Sequence, residues 1–167
     1  MGVFSENAII GASAAGGYDI DQSLRFNDDD SPYLSRTPSS ASNRKTWTWS
    51  GWVKRGSLET SNLLFSGADS SVRQWFGFYN NNLWFDHTNN VGYVYSNALY
   101  RDVGSWYHIV VAWDTTQATD SNRIKIYVNG EQISLAVGAW PALNQDGEIN
   151  NTSGMYIGSL NTYGIIR

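Results

Sequence analysis

Aromatic and polar residues alternate along residues 45–54 (KTWTWSGWVK), and this alternation constrains the fold more than any other feature of the chain. Successive side chains of a β-strand point to opposite faces of the sheet. One face of this strand would carry Trp47, Trp49, Gly51 and Val53. The other face would carry Thr48, Ser50 and Trp52. The segment therefore predicts a strand with aromatic side chains on both faces.

Two predicted hairpins follow from turn chemistry. Residues 74–79 and 83–87 flank an Asn80-Asn81-Asn82 run, whose side chains tolerate left-handed backbone. Later in the chain, an alternating segment at residues 123–128 precedes Asn129-Gly130, the preferred two-residue turn of a hairpin, which leads into residues 131–135. Both patterns predict antiparallel pairs of neighbouring strands.

Residues 105–114 (SWYHIVVAWD) are apolar on both faces, which predicts a central strand covered on both sides. Nowhere do apolar residues recur at helical period for a dozen positions. The 10 Tyr and 8 Trp are also typical of strands rather than helices. The chain is therefore predicted to be all-β, with short strands spaced as in a sandwich or barrel.

Composition excludes several classes of protein. The net charge of -4 and the scattered basic residues argue against a nucleic-acid-binding groove. No cysteine is present, so a disulfide framework, a thiolate nucleophile and a Cys-based zinc site are excluded. No apolar run approaches the roughly 20 residues of a membrane-spanning helix, and we expect neither nucleic acid nor membrane as a partner.

The first 22 residues differ from the rest, being rich in Ala, Gly and Ser and lacking Trp. They form either a loose terminus or an extended arm that docks on a partner. In the second interpretation, the anchoring side chains would be the larger apolar ones of the arm, namely Phe4, Ile9, Ile10, Tyr18 and Ile20. Residues 23–167 would then form the globular domain.

Four ordered motifs resemble the laminin-G-like branch of the concanavalin A-like lectin/glucanase superfamily. They are the strand ending in Trp-Val-Lys at residues 47–54, LLFSG at residues 63–67, GSWYHIVVAWD at residues 104–114 and KIYVNGE at residues 125–131. The isoleucine-glycine step at residues 155–158 follows. The resemblance, over residues 23–160, implies a jelly-roll sandwich of two antiparallel sheets.

The C-terminus departs from the family pattern. A final strand of the family pairs beside the first one, and here only residues 163–167 could supply it. Either a longer protein contains the rest of this closing strand, which we favour, or another chain completes the sheet, since an open edge attracts pairing.

The opening residues also resemble proteins of tailed bacteriophages. This resemblance implies a structural virion protein, in a tail fibre or as capsid decoration, with other virion proteins and further copies of itself as partners. Its location would be the surface of the extracellular particle, where host polysaccharide could be bound. A free carbohydrate-binding module or adhesin is the alternative, and a glycoside hydrolase ranks last.

Catalysis is disfavoured because the chain lacks the paired carboxylates of this superfamily's glycosidases, Glu-x-Asp-x-x-Glu on one strand. The acidic residues Glu59, Glu131 and Glu148 fall in loops or at turns. The two histidines, His87 and His108, lack a Ser or Asp partner in triad order. The chain is therefore predicted not to be an enzyme.

Calcium is the one cofactor for which the sequence has a candidate. Asp28, Asp29 and Asp30 follow an asparagine, and Ca²⁺ prefers six to eight oxygen ligands from such loops. The alternative, which we favour, is a solvated turn whose side chains bond nearby backbone. A second pair, Asp114 and Asn129, would either bind calcium or cap strand ends.

An aromatic platform for sugars is the predicted binding site, because flat rings contact the apolar faces of sugars while amides bind their hydroxyls. The candidate residues are Trp75, Tyr79, Trp84, Tyr93, Tyr95 and Asn82. The competing interpretation, which we favour, is that most of the aromatic residues fill the sandwich. Either interpretation assigns Trp47, Trp49, Trp106 and Trp113 to the core.

Overall fold

The fold is described from a computed structural model, for residues 23–26, 32–68, 72–89 and 91–160. Within these ranges the chain forms eleven strands and a single 3-10 turn, Asp120–Asn122, with no α-helix. The strands are β1 Leu34–Arg36, β2 Thr46–Lys54, β3 Ser61–Ala68, β4 Arg73–Tyr79, β5 Asn82–Asp86, β6 Tyr93–Ser96, β7 Trp106–Asp114, β8 Ile124–Val128, β9 Glu131–Gln132, β10 Leu135–Val137 and β11 Gly154–Ile157. The all-β prediction is confirmed. No helix in the described part is long and apolar enough to cross a membrane.

The described strands form two antiparallel sheets. The large sheet has seven strands in the order β1-β11-β3-β4-β5-β6-β10, and the small sheet has four in the order β2-β7-β8-β9. Sequence neighbours often pair, as in β3-β4-β5-β6, while β2 pairs with β7 and β3 with β11 across long stretches of chain. The expected two-sheet sandwich is therefore confirmed.

The core lies between the inner faces of the two sheets. Alternate residues of β4, β5 and β6 in the large sheet meet alternate residues of β7 and β8 in the small sheet, as period two requires. The buried side chains are Phe76, Phe78, Leu83, Phe85, Val94, Ile109, Val111, Trp113, Ile124, Ile126 and Val128. Their burial removes the apolar surface that stabilises the fold.

Both predicted hairpins are present, and their turns use left-handed backbone. Asn80 and Asn81 have φ of 48° and 70° between β4 and β5, and Asn129 and Gly130 have φ of 53° and 88° between β8 and β9. The second hairpin is shorter than predicted. β9 ends at Gln132, because the chain then crosses to the large sheet, where β10 pairs with β6.

β7 is central in the small sheet, as predicted, but it is covered on one face only. Its inner residues Ile109, Val111 and Trp113 are buried, whereas His108 and Val110 on the outer face remain partly exposed. The reason is that no layer of the described chain packs over the outer face of the small sheet. Trp106 on that face is 49% exposed, so its assignment to the core is wrong.

Candidate ligand-binding face

Four of the six predicted glycan-binding residues meet on the outer face of the large sheet. Trp84 of β5 lies opposite Tyr95 of β6, and Tyr93 and Tyr79 lie on the same face by the alternation of β6 and β4. We call Tyr79, Trp84, Tyr93 and Tyr95 the aromatic cluster. The sheet register thus brings together residues that are up to 16 positions apart.

The rings of the aromatic cluster pack against one another. Trp84 stacks on Tyr93 at 4.7 Å and on Tyr95 at 5.0 Å between ring centroids, with interplanar angles of 18° and 12°. Tyr79 meets Trp84 edge to face at 5.3 Å. Tyr93 and Tyr95 lie 6.3 Å apart and share Trp84 as a stacking partner. All four side chains are only partly buried, so part of each remains accessible.

Trp75 does not share this accessibility. It is 4% exposed and packs with Leu63 and Leu160 in a small apolar cluster on the outer face of the large sheet. Trp84 and Tyr79 contact the edge of that cluster. Trp75 therefore supports the aromatic cluster from one side, and its direct contact with a ligand stays a prediction.

Asn82 also has a role inside the protein. Its Nδ2 donates to the carbonyl oxygens of Ser96 at 2.7 Å and Ala98 at 3.3 Å, which ties the start of β5 to the segment after β6. Both amide hydrogens are thereby used on backbone acceptors. Asn82 positions the aromatic cluster. Its amide was expected from the sequence to bind a sugar, but both of its donors are used within the protein.

The second calcium candidate is not assembled. Asp114 ends β7 beside Arg123, and Asn129 lies beside His108 near the other end of the same pair of strands, about 20 Å away at about 3.3 Å per residue. Asn129 Oδ1 accepts the His108 N–H of the neighbouring strand, and Asp114 accepts hydrogen bonds from Thr116 and Gln117 just after β7. The hydrogen bonds from Thr116 and Gln117 hold the pKa of Asp114 below its usual range. These residues are strand-end caps.

The first calcium candidate, Asp28, Asp29 and Asp30, lies outside the described residues. So do the predicted docking side chains Phe4, Ile9, Ile10, Tyr18 and Ile20, and the predicted closing strand at residues 163–167. In the part of the chain that the structure describes, no group of three or more His, Cys, Asp or Glu side chains could hold a metal ion.

The two histidines lie in different environments. His108 is on the outer face of the small sheet, where its Nε2 is 3.1 Å from Ser50 Oγ and its ring is 5.0 Å from Trp52. His87 is buried between the sheets, with Nε2 3.0 Å from the Ala139 carbonyl oxygen and Nδ1 2.9 Å from Thr88 Oγ1. Since a carbonyl only accepts, Nε2 of His87 donates and Nδ1 accepts.

Acid should destabilise the domain through His87. Desolvation lowers the pKa of His87 from its usual value, so the unfolded chain binds a proton at higher pH than the folded chain does. This contribution to stability is complete above the ordinary histidine pKa of about 6.5 and falls as pH drops below it, by at most about 1.4 kcal/mol per pH unit. Urea unfolding between pH 7.5 and 5.5 would show the slope. His87→Gln should flatten it, and an unchanged slope in that variant would contradict the assignment.

An exposed aromatic pair on the opposite side of the molecule was not among the predicted site residues. Trp52 of β2 is 56% exposed and Trp106 of β7 is 49% exposed, and both lie on the outer face of the small sheet. The alternation of residues 45–54 had already separated Trp52 from Trp47 and Trp49. For Trp106, the sequence does not show which face of β7 is covered, because both faces are apolar.

Comparison with known proteins agrees with this architecture. The family model of the concanavalin A-like lectin/glucanases superfamily matches residues 28–164. Among solved structures, mouse laminin α1 chain domains LG4-5 align with a TM-score of 0.55 and 16% identity, covering 81% of this chain and 34% of that one. The LG1-3 region of the laminin α2 chain gives 0.54 and 15%, covering 81% and 26%. No curated protein matches. With most of its length matched by the family model, the chain belongs to the concanavalin A-like lectin/glucanases superfamily.

Proposed function

We propose that this domain is a non-enzymatic carbohydrate-binding module, and that its ligand lies on the aromatic cluster of the large sheet. The observation that carries the proposal is that Tyr79, Trp84, Tyr93 and Tyr95 form a continuous group outside the main core. The core between the sheets is already filled by another set of apolar side chains. A cluster of partly accessible rings on an outer sheet face is therefore not explained by core packing.

The packing of the cluster suits a polar, ring-shaped ligand. Stacking holds the rings in place before any ligand arrives, so little side-chain entropy is lost on binding. Tyrosine side chains present an apolar ring and a hydroxyl that can donate or accept. Sugars have the same mixture of apolar C–H surface and hydroxyl groups. Contacts with the rings and hydrogen bonds to the tyrosine hydroxyls are the expected mode.

The distribution of carboxylates supports binding over hydrolysis. Glycosidases need two carboxyl groups within several ångströms across the scissile bond. Asp86, which lies opposite Tyr93 in the sheet, is fully buried and accepts the Thr88 N–H at 2.9 Å. Glu148, which is also buried, pairs with Arg44 at 3.0 Å instead. Neither residue is placed to act on a bound sugar.

Replacing Tyr95 or Tyr93 by alanine should weaken carbohydrate binding at least about tenfold, the usual effect of removing a central aromatic contact. A glycan array would identify the probe, and titration calorimetry with its strongest ligand would measure the affinity. Trp52→Ala is the matched control, because it removes an aromatic side chain from the opposite outer face. Circular dichroism would show that each variant is folded.

Three results would contradict the proposal. One is saturable binding that is unchanged in both tyrosine variants but lost in Trp52→Ala, which would move the site to the small sheet. Another is cleavage of the bound polysaccharide by the purified chain, which would make the domain an enzyme. Absence of binding to any glycan on a broad array would also count against it.

We also infer that residues 1–22 attach this module to the outside of a tailed-phage particle, as part of a fibre or as capsid decoration. The support is the composition of that segment and the resemblance of the opening residues to phage proteins. Display on a virion would place the aromatic cluster where host surface polysaccharide can be reached. The other partners would then be neighbouring virion proteins.

A further inference from the structure

Tyr93 of the aromatic cluster lies between Trp84 and the segment that follows β10. Its ring stacks on Trp84 of β5 at 4.7 Å between ring centroids. In the large sheet β6 lies between β5 and β10, so the residues after β10 reach Tyr93 from the side away from Trp84. The first of these residues is Gly138. The position of the Tyr93 ring therefore depends on a neighbour on each side.

Gly138 leaves the space that the Tyr93 ring occupies. A Cβ atom at position 138 would lie 2.4 Å from Cζ of Tyr93 and 2.6 and 2.7 Å from its two Cε atoms. These distances are well below the separation of about 3.5–4.0 Å at which carbon atoms make favourable contact. Gly138 does not have a positive φ, so its backbone conformation is open to other residues. The closeness of the ring is therefore the reason that this position needs a glycine.

Hydrogen bonds hold the backbone of Gly138 against the β5-β6 hairpin. The N–H groups of Gly138 and Ala139 both donate to the Tyr93 carbonyl oxygen, at 2.9 and 3.3 Å. The Ala139 carbonyl oxygen accepts the Nε2 hydrogen of the buried His87 at 3.0 Å. The backbone N–H of His87 donates to the carbonyl oxygen of Gly92, the residue before Tyr93, at 2.8 Å. Moving Gly138 away from the ring would break these bonds.

We propose that Gly138 is a positioning residue of the carbohydrate site, which sets where Tyr93 lies against Trp84 and thereby the affinity of the aromatic cluster for a sugar. The inference rests on the proposed function, because it concerns the same site. A side chain at position 138 would displace the ring rather than the backbone, since the ring is the outer end of a side chain and the backbone is hydrogen-bonded. A displacement of about 1 Å is enough to weaken a contact that a ligand requires.

The position of the ring can be measured without a ligand. The NMR signals of the Tyr93 ring protons are sensitive to the ring current of the stacked Trp84. In Gly138→Ala these signals should move, while the far-UV circular dichroism spectrum stays that of the parent chain. Gly56→Ala is the matched control, because a Cβ atom at this exposed glycine would meet no atom within 4 Å. That variant should leave the Tyr93 signals in place.

Titration calorimetry with the strongest ligand from the glycan array would measure the effect on binding. Gly138→Ala should raise the dissociation constant about threefold, which is less than the effect of removing the Tyr93 ring altogether. In a chain that already carries Tyr93→Ala, adding Gly138→Ala should have no further effect, because Gly138 acts through that ring. A residue that only stabilised the sheet would weaken binding equally in both backgrounds.

Unchanged Tyr93 signals in Gly138→Ala would overturn the proposal, as would equal losses of affinity with and without the Tyr93 ring. Signals that move while the affinity stays that of the parent chain would also overturn it, because the position of Tyr93 would then not determine binding. If the signals move in Gly138→Ala but the parent chain binds no glycan, the proposed function fails and the positioning of Tyr93 by Gly138 is supported.

Discussion

Trp113→Ala is expected to reduce the free energy of unfolding by about 3–5 kcal/mol, the range for truncating a buried aromatic residue. Trp113 is 1% exposed and lies where the two sheets meet. Its ring stacks with Trp47 at 6.2 Å and lies 5.7 Å from both Phe85 and His87. The indole Nε1 donates to the Arg44 carbonyl at 3.0 Å, so the variant loses a hydrogen bond and leaves a cavity.

Urea denaturation followed by circular dichroism would measure this loss. The matched control is Trp106→Ala, seven residues earlier on the same strand but on the outer face. That variant should change stability by less than about 1 kcal/mol, because its side chain is half exposed. Equal effects of the two substitutions would mean that the outer face of the small sheet is covered in solution.

Arg55→Met is expected to cost about 3 kcal/mol, since each buried acceptor left without a donor costs about 1–3 kcal/mol. Arg55 is 3% exposed just beyond β2. Its guanidinium donates to Asn81 Oδ1 at 2.9 Å, to Asn62 Oδ1 at 2.8 Å and to the Tyr100 carbonyl. It also lies 4.6 Å from the centre of the Phe78 ring.

These partners of Arg55 are neutral, and its burial lowers the pKa of the guanidinium through desolvation. The cation therefore connects the start of β3, the turn between β4 and β5 and the segment after β6, rather than forming an ion pair. Arg101→Met, at the exposed arginine that directly follows Tyr100, is the control and should leave the urea midpoint almost unchanged. If Arg55→Met were as stable as the parent, desolvation of the charge would cancel everything that its hydrogen bonds contribute.

The elements predicted correctly from the sequence are those decided by neighbouring residues. Asn80-Asn81 and Asn129-Gly130 adopt positive φ because asparagine and glycine tolerate it. The flanking strands then pair through the turn, without contacts from distant parts of the chain. The alternation of residues 45–54 likewise predicts that Trp47 and Trp49 lie on one face of the strand and Trp52 on the other. Such patterns depend only on backbone geometry, which repeats every two residues along a strand.

The candidate site was predicted in part for the same reason. Tyr79, Trp84, Tyr93 and Tyr95 lie on strands joined by tight turns, so their shared face follows once the hairpins are known. Trp75 has the same parity, yet it is buried, because Leu160 packs on it from the other end of the chain. No local pattern in residues 73–79 indicates a contact with a residue 85 positions later.

The sequence by itself determined that this chain forms strands, where two of its turns fall and which side chains share a face. Only the tertiary structure decided which of those faces is covered. Burial depends on what packs above a strand, and the partners come from distant positions, as the contrast between Trp106 and Trp113 on one strand shows. Backbone geometry is local, whereas exclusion of water from a surface requires two separate parts of the chain to meet.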